Sequence, residues 1–162
     1  MHALPIIEKS VTSFKNKTNP LDIISYMYYR GIIYIGLQKY SQAIDSFKVG
    51  IALPTQIIHR VHLESYKKLL LVNLIQNGKM PSLPASTSSS LRMRFENTLH
   101  IYKNLAHAYI NKDENVFNGV ITKHFNEFES DKNWGLVNKL EKMFSKRRIC
   151  DLNQTYLTLR YK

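Results

Sequence analysis

Residues 28–54 read YYRGIIYIGLQKYSQAIDSFKVGIALP, and their spacing decides how the rest of the chain is read. Two runs with apolar residues at helical intervals flank a short break at GLQKY. Gly31 and Ala43 stand twelve residues apart, one in each run. Tyr34 follows Gly31 by three, Tyr40 lies just past the break, and Phe47 follows Ala43 by four. Pro54 ends the second run, because a proline ring clashes with the preceding helical turn. Small residues at facing positions let two helix axes approach, and aromatic rings beside them fill the wedge. Gly50 adds a second small residue to the later run. A glycine inside a helix costs about 1 kcal/mol relative to alanine, so close packing supplies its motive. The stretch predicts a helix–turn–helix hairpin.

This arrangement resembles one tetratricopeptide repeat, a helix–turn–helix unit of about 34 residues. No second copy stands at that period, so a degenerate stack of helix pairs is expected rather than a regular array. Upstream, Pro5 suits the first turn of a helix reaching about residue 17. Thr18 or Asn19 can cap the next helix, over 21–37. KYS is expected to turn the chain into a helix ending near 53.

Downstream, a helix is expected over 59–76. Leu63, Tyr66, Leu70 and Leu74 form one stripe, and Leu69, Leu71, Val72 and Ile75 make a second apolar side. A helix apolar on more than one face is sandwiched between neighbours. Gly78 suits the left-handed position that closes it. Residues 80–90, MPSLPASTSSS, read as a flexible connector, either between domains or as a loop within one stack. Helical spacing resumes in Phe95, Leu99, Tyr102, Ala106 and Tyr109, then in Phe117, Ile121, His124 and Phe128. Asp131 or Asn133 is expected to cap a helix carrying Leu136, Leu140 and Phe144, and a final segment carries Ile149, Leu152, Tyr156 and Leu159. The expected fold is all-α, a right-handed superhelical stack of antiparallel pairs with about eight helices. It divides into repeats over 1–79, the connector, and a second helical part over 91–162.

With 162 residues, 44% of them hydrophobic, the chain can bury a core. No run approaches the roughly 18 apolar residues of a membrane span, and the N-terminus lacks the layout of a secretory signal. A single cysteine, Cys150, excludes an intrachain disulfide and fits a reducing compartment. The net charge of +11 favours acidic partners in general. Its densest cluster is Lys139, Lys142, Lys146, Arg147 and Arg148, with Glu141 as the only nearby acid. A solvated helix face is the primary reading, and acidic protein surfaces and nucleic acid are the alternatives. Against nucleic acid, no aromatic residues interleave with the cluster to stack bases.

Candidate chemistry is sparse. His59 and His62 are three apart and can share a face, but no Asp, Glu or Cys completes a ligand set, and Glu64 points elsewhere. His100 and His107 share another face, while His124 sits on an apolar stripe and is expected to be at least half buried. Arg147 and Arg148 could lower the pKa of Cys150, yet no base is placed beside it. Nucleophile elbows, phosphate-cradling glycine loops and H-E-x-x-H are missing. The expectation is no catalytic residue, no metal, no cofactor and no small-molecule substrate, and hence a binding or scaffold role.

Four blocks support a family resemblance: residues 28–54 above, HLESYKKLLLVNLIQNGK, NKDENVFNGVITKHFNEFESDKNWGLVNKL and RRICDLNQTYLTLR. In order and spacing they resemble the third-subunit family of the COP-nine signalosome, within the wider PCI-domain proteins. The resemblance runs from about residue 21 to the end. It implies helical repeats leading into a winged-helix module, of which this chain reaches only the first helix, around LNQTYLTLR; the chain is therefore expected to be a middle section. It also implies a non-catalytic scaffold, partnered by other subunits of a complex that removes the ubiquitin-like modifier Nedd8 from cullins and so regulates cullin–RING ubiquitin ligases. The isopeptidase would belong to another subunit, and the location would be cytoplasmic and nuclear. Gly31, Tyr34, Ala43, Phe47 and Pro54 would be packing residues, and Asn133, Gly135 and Leu136 would mark the start of the helix leading into the module. The alternatives are a PCI-type scaffold of the proteasome lid or the translation initiation complex, and a basic helical-repeat binder of nucleic acid.

Overall fold

Asn19 opens the first helix: its side-chain oxygen accepts from the Leu21 amide at 3.0 Å, and Pro20 fills the first turn. The computed structural model describes residues 19–160 apart from 56, with side chains as far as 150. The helix expected over 5–17 lies outside the described residues.

Among those residues the fold is all-helical, in eight helices: α1 (Pro20–Gly36), α2 (Tyr40–Ala52), α3 (Arg60–Asn77), α4 (Ser89–Thr98), α5 (His100–Asn111), α6 (Glu114–Lys123), α7 (Phe125–Ser130) and α8 (Trp134–Arg160). The turn between α1 and α2 falls on 37–39, slightly before the expected KYS. Gln38 adopts a left-handed φ of 59°, and the Lys39 amide closes the turn on the Tyr34 carbonyl at 2.9 Å. The hairpin packs as its spacing predicts. A Cβ on Gly31 would stand 2.5 Å from the Phe47 ring, and one on Gly50 would stand 3.3 Å from Met27 Cβ. Tyr34, Ala43 and Phe47 are all buried.

Helix α3 is the sandwiched element. Leu69, Leu70, Leu71, Val72 and Leu74 are wholly buried, and the helix touches α1, α2, α5 and α8. Tyr66 stacks on Phe95 of α4 with ring centroids 4.4 Å apart. Residues 80–90 run along this core. Pro81 and Thr87 are buried, and Met80 and Leu83 pack against the apolar cluster. The Arg92 guanidinium donates to the Pro84 carbonyl at 2.5 Å and the Thr87 carbonyl at 3.2 Å. One hydrophobic cluster therefore continues from Tyr34 to Phe144 across this stretch.

Three departures from the sequence reading lie in the second half. The stripe through Phe95, Leu99 and Tyr102 is split at Leu99, which leaves helical geometry (φ −109°, ψ 29°). The stripe through Ile121, His124 and Phe128 is split in the same way at His124 (φ −113°, ψ 25°). Each break spends no extra residue, so the apolar spacing passes through it unchanged. Conversely, 134–160 is one uninterrupted helix rather than two segments.

Gly78 closes α3 with φ 67°, and a Cβ there would run into the Arg147 guanidinium. Gly78→Ala is expected to cost about 1–2 kcal/mol from the left-handed backbone alone. A thermal melt indistinguishable from the parent would show that this terminus does not need its glycine.

Candidate functional site

The densest polar arrangement lies beneath the surface, where α3, α5 and the α7–α8 turn meet. Lys132 takes a left-handed φ of 55°, and the Lys132 and Asn133 amides bond back to Glu129 and Phe128, each at 2.9 Å. This tight turn lets Asp131 and Asn133 join one polar chain. Asn133, fully buried, accepts from Lys68 Nζ through Oδ1 at 2.5 Å and donates through Nδ2 to the Tyr102 hydroxyl at 2.8 Å. Tyr102 donates in turn to Asp131 Oδ2 at 2.7 Å. The other Asp131 oxygen meets Lys67 Nζ at 2.8 Å, and Lys67 also reaches Glu64 at 3.1 Å. A continuous line thus runs Lys68–Asn133–Tyr102–Asp131–Lys67–Glu64.

Burial sets the electrostatics of this line. It pushes the Lys68 ammonium below its ordinary range, with the charges of Glu64 and Asp131 opposing. It lifts the Tyr102 hydroxyl far above its usual value, although the bond from Asn133 opposes the rise. Tyr28, whose ring lies 5.9 Å from Lys68 Nζ, is raised to about 12, again mainly by burial. Tyr102 is therefore a fixed neutral donor, and each group on the line is bonded to the next. What the arrangement does is latch the α7–α8 turn onto α3 and α5.

Asn133 was expected as a cap, and its backbone carbonyl does accept from the Leu136 and Val137 amides at 3.0 and 3.1 Å. Its side chain, however, is the hub of the buried line, which sequence reasoning missed. The available signal was Lys68, a charge inside a helix that is apolar on more than one side.

Apart from the His59–His62 pair, the described histidines lie in separate places. His59 and His62 stack with centroids 6.1 Å apart at the start of α3, and the His59 amide donates to His62 Nδ1 at 3.2 Å. Glu64 turns instead to Lys67 and Arg60. His100 and His107 are exposed. His124 is half buried at the α6–α7 break and meets Glu127 at 3.2 Å. Among the described residues, no three His, Cys, Asp or Glu side chains form a group that could hold a metal ion, and no helix is long and apolar enough to cross a membrane. Cys150 is exposed.

His62 is fully buried, and burial holds its imidazole below the ordinary histidine range; the His59 charge adds to this, while a backbone bond to His59 opposes it. The unfolded chain therefore binds a proton at higher pH than the folded one does. The stabilisation is fully present above about pH 6.5 and is lost as pH falls through the lower folded value. Urea midpoints taken from pH 7 to 5 should fall more steeply for the parent than for His62→Gln. Parallel profiles would show that His62 does not carry the acid sensitivity.

The basic cluster is largely occupied from within. Lys139 donates to the Tyr40 hydroxyl and covers its ring, and Arg147 lies 5.3 Å over the Tyr109 ring. Arg148 pairs with Glu114 of α6, which corrects the expectation that Glu141 is the only acid nearby. Lys142 and Lys146 are exposed.

Residues 1–91 match the family model described as COP9 signalosome complex subunit 3, N-terminal helical repeats. The chain belongs to this family. The 28–54 hairpin and α3 both lie inside the matched part. Over 160 residues, 97% of this chain, it is 32% identical to COP9 signalosome complex subunit 3 of Dictyostelium discoideum. Over 141 residues, 86% of this chain, it is 35% identical to the Arabidopsis thaliana protein of the same name. The chain spans 38% and 33% of the length of these two relatives.

Proposed function

We propose that the chain acts as a non-catalytic scaffold element of the COP9 signalosome, the complex that takes Nedd8 off cullins and thereby regulates cullin–RING ubiquitin ligases. The carrying observation is that its similarity to a protein named as a subunit of that complex extends over 97% of the chain. The internal polar geometry supports the reading: the Lys68–Glu64 line holds helices together rather than presenting reactive groups. In this reading the isopeptidase belongs to another subunit, the partners are neighbouring subunits, and the location is cytoplasmic and nuclear.

Affinity purification of the tagged full-length protein tests it. Co-recovery of cullins and an isopeptidase is the expected result. Recovery of proteasome lid or ribosomal components in their place would assign the chain to a different PCI-type assembly.

A further inference from the structure

A groove opens between the end of α1, the α1–α2 turn, α3 and the start of α8. Its apolar part is Ile32, Ile35 and Leu136, all half buried. Lys68, Lys132 and Lys139 also line it, and among the described residues no carboxylate does. Gly36 and Gly135 lie along its wall, and a Cβ added to either would meet nothing within 4 Å. Neither glycine is required by a positive φ or by close packing within the described residues, so both leave backbone open to an approaching chain.

We infer that this groove docks a partner protein through a short acidic segment bearing apolar side chains. The carboxylates meet Lys132 and Lys139, and the apolar groups cover Ile32, Ile35 and Leu136. Charge complementarity selects this occupant. Residues 1–18 carry Lys9, Lys15 and Lys17 against Glu8, so this chain's own N-terminal segment has the wrong sign. A second copy brings a net charge of +11 and is repelled in the same way. Nucleic acid lacks a stacking platform, because among the described residues the one aromatic ring lining the groove, Tyr40, is covered by Lys139. The inference holds whichever complex the chain joins.

Fluorescence anisotropy with the full chain tests it. The probe is a labelled decapeptide alternating Asp and Leu, with Lys/Leu and Asp/Ser decapeptides as controls. The Asp/Leu peptide should bind at least about tenfold more tightly than either control. Lys132→Glu and Gly135→Leu should each weaken it about tenfold without lowering the melting temperature, since Lys132 is exposed and the space beside Gly135 is open. Lys123→Glu, an exposed reversal elsewhere, should change nothing. Equal binding of the Asp/Ser peptide, or unchanged affinity in both groove variants, would overturn the proposal. So would stronger competition by a uridine oligonucleotide, or a dimer in sedimentation that the groove variants dissociate.

Discussion

Asn133→Ala should destabilise the fold by about 2–4 kcal/mol, far more than loss of one ordinary hydrogen bond. The reason is what it leaves behind. Lys68 is only 6% exposed, and the Asn133 side-chain oxygen is the hydrogen-bond acceptor for its ammonium. Truncation strands that charge without its acceptor and also removes the donor to the Tyr102 hydroxyl. Removing the charge itself should do less harm. Lys68→Met keeps the buried stem and removes the charge, but it leaves the neutral, buried Asn133 oxygen without its donor, so it should cost about 1–2 kcal/mol. In the Lys68→Met background, Asn133→Ala should then lose much of its effect. Urea denaturation at pH 7 reads all three variants through the midpoint at constant slope. Asn126→Ala, on the exposed side of α7, is the control. A cost for Asn133→Ala no greater than that of the control would mean the buried line does not latch the turn.

The hairpin was legible because its information is local. Gly31, Ala43 and Phe47 lie within seventeen residues, and helical spacing alone brings them face to face. The two-sided character of α3 was legible for a similar reason, since a run such as LLLV leaves no polar face to turn outward. The breaks at Leu99 and His124 were hidden because each residue keeps its apolar place in register while its backbone departs from the helix. Neither break contains a glycine or proline to mark it. The buried line was hidden because its members are brought together only by tertiary folding. Lys68 and Asn133 are 65 residues apart, and Tyr102 and Asn133 are 31 apart. The contact of Arg148 with Glu114, 34 residues away, escaped for the same reason and left the basic cluster looking less neutralised than it is.

Phe47→Ala should be the most damaging single change in the hairpin, at about 3–5 kcal/mol. The ring is completely buried, faces Gly31 across the α1–α2 interface and lies 6.3 Å from the Tyr28 ring. Alanine would leave a cavity in the apolar cluster that Phe47 shares with α3, and the packed helices around it can close it only in part. Gly31→Leu attacks the same contact from the other side. Its Cβ would stand 2.5 Å from the ring, and overpacking should cost about 1–3 kcal/mol as the ring or the helix axis gives way. The two changes should not add. A leucine at 31 has room only when the ring is gone, so the double variant should be more stable than the summed single effects predict, by about 1–2 kcal/mol. Additivity within about 0.5 kcal/mol would place the two residues out of contact and break the alignment on which the hairpin reading rests. The sign of the coupling also bears on function. If shape is what this chain supplies, Gly31→Leu should weaken recovery of partners in the affinity purification, and Phe47→Ala in the same background should partly restore it.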